Sequence, residues 1–178
     1  EKIVIREGKR VPFGVRNKAT FDLMLGEGAS FEEIDGDTVP PSWEKASKET
    51  LSLRKPVTVM VMGGVDSGKT SFCTYLTNEA LRKNWKTAII DADLGQSDVG
   101  PPSTIGFNRV TAPVRDLFEI MAENAYFVGL TSPSGAVDRV IEGLTELKSR
   151  VSKTDVDFLI INTDGWVEGE DAAKYKVQ

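Results

Sequence analysis

Apolar residues form two different patterns along this 178-residue chain. Up to about residue 55, short β-like pieces that read KIVIR, FGVRN and TFDLML are separated by Gly, Pro and Asp turns. From Pro56 onward, apolar runs that read VTVMVM, KTAII, AYFVG and DFLII alternate with longer helical segments. Because buried parallel strands are nearly continuous apolar runs, the second pattern predicts an α/β fold with a parallel sheet flanked by helices.

The chain is therefore expected to have two parts. Residues 1–55 are predicted to form a partial β-rich N-terminal region that ends in a polar linker, IDGDTVPPSWEKASKET, and residues 56–178 are predicted to form the α/β domain. Before the last strand, apolar residues recur at helical spacing, which predicts a helix with one face on the sheet. These core positions are Val137, Val140, Ile141, Leu144, Leu147 and Val151.

Composition excludes several classes of protein. No apolar stretch approaches the roughly 20 residues that cross a bilayer, so we expect no membrane and a cytoplasmic location. The chain has no histidine, which excludes Ser/His/Asp triads, histidine-ligated zinc and a histidine general base. A net charge of −5 argues against nonspecific wrapping of nucleic acid but leaves a local basic groove open. The single Cys73 is predicted to be a small buried thiol.

A glycine-rich turn between the first apolar run and a helical segment matches the phosphate-loop pattern G-x-x-x-x-G-K-[ST]. In such a loop, backbone N–H groups cradle phosphates, the lysine reaches the β- and γ-phosphates, and the hydroxyl binds Mg²⁺. Lys69 and Thr70 occupy the last two positions. The alternative is an ordinary strand-to-helix turn. The predicted nucleotide-binding residues are Gly63, Gly64, Val65, Asp66, Ser67, Gly68, Lys69, Thr70 and Ser71.

The remaining strand ends predict where a second substrate would bind. Ligands of an open parallel sheet lie beyond the carboxyl ends of its strands, and these ends carry GGVDSGKT, DADLGQSDVGPPST, GLTSPSG and NTDGW. Taken alone, GLTSPSG is explained by turn chemistry. Asp91 and Asp93 follow the second strand and, if the extended geometry persists, project to the same side. A carboxylate there can hold Mg²⁺ or accept a proton. Asp91 is equally suited to bracing the loop, and Asp93 is the better candidate for chemistry.

Four segments, GGVDSGKTS, DADLGQSDVGPPSTIG, AYFVGLTSPSG and INTDGWVEG, occur in this order over about residues 56–170. In order and spacing they resemble the RNA-type polynucleotide 5′-hydroxyl kinase family. That family includes kinase subunits of the pre-mRNA cleavage and tRNA-splicing machinery, ribosomal-RNA processing kinases and archaeal enzymes. The phosphate loop is widely shared, whereas D-x-G-Q followed by GPP, and N-T-x-G-W, are far more restrictive.

The resemblance implies transfer of the ATP γ-phosphate to the 5′-hydroxyl of an RNA or DNA end, with Mg²⁺ as cofactor and RNA-processing proteins as partners. It implies that Lys69 and Asp93 are catalytic, Asp93 as the general base, and that Thr70 binds the metal ion. From its place at the end of the second strand, Asp91 is the second expected metal ligand. Gln96 would position the substrate end and Trp166 would stack on a base. Asn162 and Thr163 would contact phosphates or shape the loop. The alternative for Trp166 is interdomain packing.

The chain also departs from the family pattern. Family members continue into a lid with an R-x-x-x-R pair, and the matching spacing here, Arg6 with Arg10, precedes the phosphate loop. We interpret that pair as a solvated hairpin face, and expect a kinase domain truncated before the lid that binds ATP and transfers slowly alone.

Three alternatives stay open. A GTPase would need N-K-x-D, and NTDG lacks the lysine. A small-molecule kinase or an ATP-dependent ligase would not need the tryptophan after NTDG. A noncatalytic ATP-binding scaffold of an RNA-processing complex is the third, although the presence of Asp93 argues against it.

Overall fold

The computed structural model describes Thr20, residues 22–36 and residues 38–178. The chain divides into two compact units, residues 1–45 and residues 46–178. The predicted strands KIVIR and FGVRN lie outside the described residues. Within TFDLML, residues 22–25 form no strand, so the β-strand predicted there is not found. Part of the predicted linker is helical, since α1 spans Pro41–Thr50 and begins with proline, which is favourable in the first turn of a helix.

The α/β unit contains one mixed sheet with helices, as far as the chain is described. Along the chain its elements are β1 (Val57–Val61), α2 (Lys69–Arg82), β2 (Thr87–Ala92), β3 (Thr104–Val110), β4 (Asn124–Phe127), α3 (Val137–Val151), β5 (Phe158–Thr163) and α4 (Glu170–Val177). Two short 3₁₀ turns, Leu117–Glu119 and Pro133–Gly135, flank β4. No helix in the described part of the chain has the length and apolar character needed to cross a membrane.

The strands are arranged in the order β1-β5-β2-β3-β4. β5 pairs in parallel with both β1 and β2, whereas β3 is antiparallel to β2 and to β4. The α/β fold is thus confirmed, and the four predicted strands run in the same direction. The prediction of a purely parallel sheet was wrong because it missed β3. The loop 93–103 holds no helix, and a parallel crossover normally needs one, so the next strand returns antiparallel.

Two apolar clusters cover the two faces of the sheet. Helix α2 packs on one face, where Leu76 and Ala80 join Ile89 and Phe158. Helix α3 packs on the other face. The predicted apolar stripe of α3 is confirmed, because Val140, Leu147 and Val151 are buried and the other three positions are half-buried. Packing on both faces leaves the carboxyl ends of β1, β5 and β2 as neighbours along one edge.

Candidate nucleotide and substrate site

The phosphate-loop sequence lies where the pattern predicted, between the end of β1 at Val61 and the start of α2 at Lys69. Asp66 and Gly68 adopt left-handed backbone conformations, with φ of 56° and 87°, which turn the chain back on itself. The Ser67 hydroxyl donates to the Gly64 carbonyl oxygen at 2.8 Å and holds the turn closed. Helix α2 then begins with its N-terminus at the loop.

The phosphate loop is closely packed at Gly63 and open at Gly64. A Cβ atom on Gly63 would lie 2.5 Å from the Ser67 Oγ, whereas a Cβ on Gly64 would meet nothing within 4 Å. The Lys69 ammonium donates to the Gly64 carbonyl oxygen at 2.9 Å, so the charge lies against the loop itself. A triphosphate would fit this arrangement, since the Lys69 cation and the N-terminus of α2 lie at the same turn and both favour phosphate oxygens.

Strand register brings three of the predicted segments to one edge. Asn162 of β5 is aligned with Val61 of β1 and with Asp91 of β2. The phosphate loop and the Asp93 loop therefore begin two strand spacings apart, or about 10 Å. The Thr163 hydroxyl donates to the Val61 carbonyl oxygen at 2.9 Å. A Cβ on Gly165 would lie 2.8 Å from the backbone nitrogen of Val65, so the NTDGW segment directly contacts the phosphate loop.

Asp91 is completely buried, and protein groups hydrogen-bond both its oxygens. Oδ1 accepts from the Asn162 amide at 3.0 Å and from the Asp93 backbone N–H at 3.2 Å. Oδ2 accepts from the backbone N–H groups of Asp98 and Val99 at 2.7 and 3.2 Å. Burial raises the pKa of this carboxyl, and the hydrogen bonds from Asp98 and Val99 oppose that rise. This arrangement matches the bracing role and leaves no exposed oxygen for a metal ion.

Asp93 has a different environment. Strand β2 ends at Ala92, so the extended geometry behind the same-side prediction stops before Asp93. The Asp93 Oδ1 accepts from the backbone N–H groups of Gly95 and Gln96 at 3.2 and 3.0 Å, an arrangement typical of an aspartate that initiates a turn. Asp93 is half-buried and Gln96 is exposed. The two carboxylates thus accept hydrogen bonds from different groups.

Asn162 and Thr163 are buried beneath the site. Asn162 links Asp91 to the Cys73 thiol, which lies 3.7 Å from the Asn162 Oδ1. Burial, and then the charge of Asp91, raise the pKa of Cys73 far above its usual range, in agreement with a buried, inert thiol. Because the Thr163 hydroxyl donates to main-chain oxygen, its observed contact is the loop-shaping one.

Trp166 is half-buried and stacks on Tyr175, with ring centroids 5.6 Å apart and an interplanar angle of 25°. Its backbone N–H donates to the Asp164 Oδ1 at 2.9 Å. Sequence reasoning missed Asp164, which is 4% exposed and also binds Tyr175 and Lys176 of α4. No local signal in the sequence identifies these partners, because they lie 11 and 12 residues further along the chain.

The described residues contain no group of three or more His, Cys, Asp or Glu side chains arranged to hold a metal ion. A protein-only metal cage is therefore not part of this site as described. Mg²⁺ does not need one, since it usually keeps several waters and binds through one or two protein oxygens together with phosphate oxygens. The Thr70 hydroxyl, in the first turn of α2, is the side-chain oxygen of the phosphate-loop pattern that fits this mode.

Comparison with curated proteins finds relatives among archaeal kinases and eukaryotic CLP1 proteins. A polyribonucleotide 5′-hydroxyl-kinase from Pyrococcus furiosus is 39% identical over 131 residues, which cover 74% of this chain and 37% of that protein. A kinase of the same name from Methanocaldococcus jannaschii is 38% identical over 119 residues, which cover 67% of this chain and 33% of that protein. A CLP1 homolog from Brugia malayi is 35% identical over 174 residues, covering 92% and 38%. The chain spans less than half the length of these relatives.

Comparison with solved structures shows the same fold in a Clp1p–Pcf11p complex, with a TM-score of 0.61 and 15% identity over 76% of this chain and 38% of that chain. The family model described as mRNA cleavage and polyadenylation factor CLP1 P-loop matches residues 63–178. The resemblance predicted from the four motifs is thereby confirmed. Since the match covers well over half of the sequence, the chain belongs to the CLP1 P-loop family.

Proposed function

We propose that residues 56–178 form the ATP-binding and phosphoryl-transferring part of a polynucleotide 5′-hydroxyl kinase that acts on RNA ends. The observation that carries this proposal is the strand register, which aligns Val61, Asn162 and Asp91 at the carboxyl edge of one sheet. In this register, the loop proposed to bind the triphosphate lies beside the loop that bears Asp93, with NTDGW between them. The archaeal relatives are named for the same reaction.

On this proposal, the phosphate loop binds ATP through its backbone N–H groups and the N-terminus of α2. Lys69 exchanges its hydrogen bond with Gly64 for one with the β- and γ-phosphates. The Thr70 hydroxyl would hold Mg²⁺, and the ion would supply positive charge that neutralises the phosphates. Asp91 acts as a brace for the loop 93–99, as its five protein hydrogen-bond donors indicate.

The oxygen of the 5′-hydroxyl forms a bond to the γ-phosphorus, the bond from that phosphorus to the β,γ-bridging oxygen breaks, and ADP leaves. The 5′-hydroxyl must lose its proton in this step. In a chain without histidine, Asp93 is the proposed acceptor, and the hydrogen bonds from Gly95 and Gln96 orient its carboxylate. The exposed Gln96 side chain would contact the substrate end. Thr163, whose hydroxyl donates to the Val61 carbonyl oxygen, would shape the phosphate loop. Trp166 would stack on a base, a contact worth about 1–3 kcal/mol that tolerates any sequence.

A second function, that of an ATP-binding scaffold within an RNA-processing complex, is favoured by one specific finding. One solved structure that shares this fold is a complex of Clp1p with Pcf11p. On this alternative the chain binds ATP and a protein partner without transferring phosphate. Transfer of phosphate from ATP to an oligonucleotide therefore distinguishes the kinase from the scaffold.

The test uses the protein at its full natural length, ATP labelled at the γ-phosphate, Mg²⁺ and short 5′-hydroxyl oligonucleotides of RNA or DNA. We expect label on the RNA 5′ end, and none on an oligonucleotide that already carries a 5′-phosphate. Lys69→Ala should abolish transfer. Asp93→Asn should slow it by about 10²- to 10⁴-fold, the usual contribution of a general base, while ATP still binds.

Matched controls come from the other end of β5. Lys153→Ala and Asp155→Asn change an exposed lysine and an exposed aspartate and should leave transfer unchanged. If the wild-type protein yields no labelled oligonucleotide, the kinase assignment is wrong, and ATP binding without transfer supports the scaffold. Full activity in Asp93→Asn would show that another group is the base. Comparison of RNA with DNA then fixes the substrate.

A further inference from the structure

The buried carboxylate of Asp164 accepts hydrogen bonds both from Trp166 and from α4, the helix whose Tyr175 stacks on Trp166. The Asp164 Oδ1 accepts the Trp166 backbone N–H at 2.9 Å. The Asp164 Oδ2 accepts the Tyr175 hydroxyl at 2.9 Å and the Lys176 ammonium at 2.9 Å. Lys176 also donates to the Asp164 carbonyl oxygen at 3.2 Å. Both carboxylate oxygens are therefore used within the protein.

The ion pair between Asp164 and Lys176 is buried, with side chains that are 6% and 9% exposed. Removing two charges from water costs free energy, and a buried pair often gives no net stability over an apolar replacement. Such pairs can instead select one arrangement of the elements they join. Here the pair fixes α4 against the loop that follows β5, and α4 carries Tyr175.

The same network fixes the indole ring of Trp166. Its backbone is held by Asp164, and one face of its ring lies against Tyr175. The Lys176 ammonium lies 4.8 Å from the centroid of the Tyr175 ring, which adds a cation–π contact to that ring. A side chain already held in one orientation loses less conformational entropy when it binds a ligand.

Space for a ligand lies next to this stack. An open pocket of about 310 Å³ lies against the two rings, and its lining carries one charge of each sign, from Lys174 and Asp171. The other lining residues are Ser134, Val137, Trp166, Tyr175 and Gln178. Its volume is at the lower end of the roughly 300–1,000 Å³ typical of small-molecule sites, and a flat aromatic ring with a nearby lysine suits a nucleotide.

We propose that Asp164 is a positioning residue for the polynucleotide: it holds Trp166, through the backbone N–H and through Tyr175, so that the indole ring is preorganised to stack on the terminal base. This inference rests on the proposed kinase function. It predicts that Asp164 acts on binding of the nucleic-acid end, without acting on ATP. The Asp164 carboxylate would touch neither substrate.

The test compares two 5′-hydroxyl RNA oligonucleotides, one with a base and one abasic at the 5′-terminal nucleotide. Binding is measured by fluorescence anisotropy, and KM for oligonucleotide and for ATP by steady-state kinetics. In the wild-type protein we expect the base to strengthen binding by about 5- to 150-fold, the range for aromatic stacking. We call the affinity for the first oligonucleotide divided by that for the second the base-to-abasic ratio. Asp164→Asn should reduce this ratio toward one and raise KM for the oligonucleotide, with KM for ATP unchanged.

A double-mutant cycle separates positioning from general destabilisation. In a Trp166→Ala background, Asp164→Asn should have no further effect on the base-to-abasic ratio, because the indole ring that stacks on the base is already absent. Asp155→Asn, which changes an exposed carboxylate at the other end of β5, is the matched control and should keep the wild-type ratio. If Asp164→Asn does not fold, Tyr175→Phe replaces it, since this variant keeps the ring, loses the bond to Asp164 and should lower the ratio in part.

The inference is overturned if the wild-type protein does not distinguish the two oligonucleotides. It is equally overturned if the folded Asp164→Asn variant, or Tyr175→Phe in its place, keeps the wild-type ratio. Failure of the proposed function gives a different result. In that case the wild-type protein transfers no phosphate, whereas the ratio and its dependence on Asp164 are still measured by anisotropy.

Discussion

Two aspartates separated by one alanine, Asp91 and Asp93, have different environments. Asp91 is fully buried, with hydrogen bonds to both oxygens, whereas Asp93 is half-buried and receives its bonds from the turn it initiates. The residue types alone indicated two candidate carboxylates. For Asp91 they left bracing and chemistry equally open, because its role depends on where β2 ends and on which groups bury it.

The thiol of Cys73 provides a prediction at this scale. It is fully buried, and burial raises its pKa, so little thiolate is present or accessible at pH 8. We expect a thiol reagent to label the folded protein very slowly and the denatured protein at once. A Ser149→Cys variant supplies an exposed thiol on α3 and should react rapidly in the folded state. Fast labelling of native Cys73 would contradict the buried placement.

Gly165 provides a second prediction. A Cβ atom there would lie 2.6 Å from the Val65 Cγ2 and 2.8 Å from the Val65 nitrogen, so alanine must displace the phosphate loop. Overpacking of this kind costs about 1–3 kcal/mol. We therefore expect Gly165→Ala to weaken ATP binding by about tenfold in calorimetry.

The control for that variant is Gly26→Ala, where an added Cβ meets nothing within 4 Å and ATP affinity should not change. Unchanged ATP affinity in Gly165→Ala would show that the NTDGW segment does not constrain the phosphate loop. The N-T-x-G-W motif marked Gly165, but its close approach to Val65 could not be predicted from the sequence, since that contact is a property of the folded sheet edge.

Among the elements, continuous apolar runs predicted β1, β2, β4 and β5, and the helical period predicted α3. Strand β3 was missed because its sequence, TIGFNRV, includes Gly106, Asn108 and Arg109, residue types that are uncommon in a buried strand or mark its outer face. Its antiparallel direction follows from the connection before it. Helix α4 and its contacts with Asp164 were missed because they depend on partners distant in sequence.

Helix α3 lies close to β3 and β4 at Gly143. A Cβ there would lie 2.5 Å from the Tyr126 Cδ1 and 2.9 Å from the Ile105 Cδ1. Alanine favours a helix over glycine by about 1 kcal/mol, but overpacking costs about 1–3 kcal/mol. We expect Gly143→Ala to lower the free energy of unfolding in a urea titration.

Ser149→Ala on the exposed side of the same helix isolates the propensity effect and should raise the free energy of unfolding slightly. A Gly143→Ala protein more stable than the wild type would mean that α3 can move away from β3 and β4 at little cost. The packing of this helix on the sheet would then be looser than the distances indicate.

At the scale of the whole molecule, charge limits how nucleic acid is bound. The chain has a net charge of −5, so electrostatic attraction contributes little to binding along the phosphate backbone of a nucleic acid. We expect recognition of an end. Linear 5′-hydroxyl RNA should compete for binding, whereas a circular RNA of the same sequence should not. Equal competition by the circle would show binding along the strand instead of at its terminus.

The central claim is that one sheet edge unites the ATP phosphates and Asp93 around a 5′-hydroxyl. It is tested most directly by a crystal structure of the protein with a nonhydrolysable ATP analogue, Mg²⁺ and a 5′-hydroxyl RNA. We expect the Lys69 ammonium on the β- and γ-phosphates, and the Asp93 carboxylate about 2.6–3.2 Å from the 5′-oxygen. A complex in which Asp93 faces away from that oxygen, with the RNA end bound elsewhere, would contradict the account.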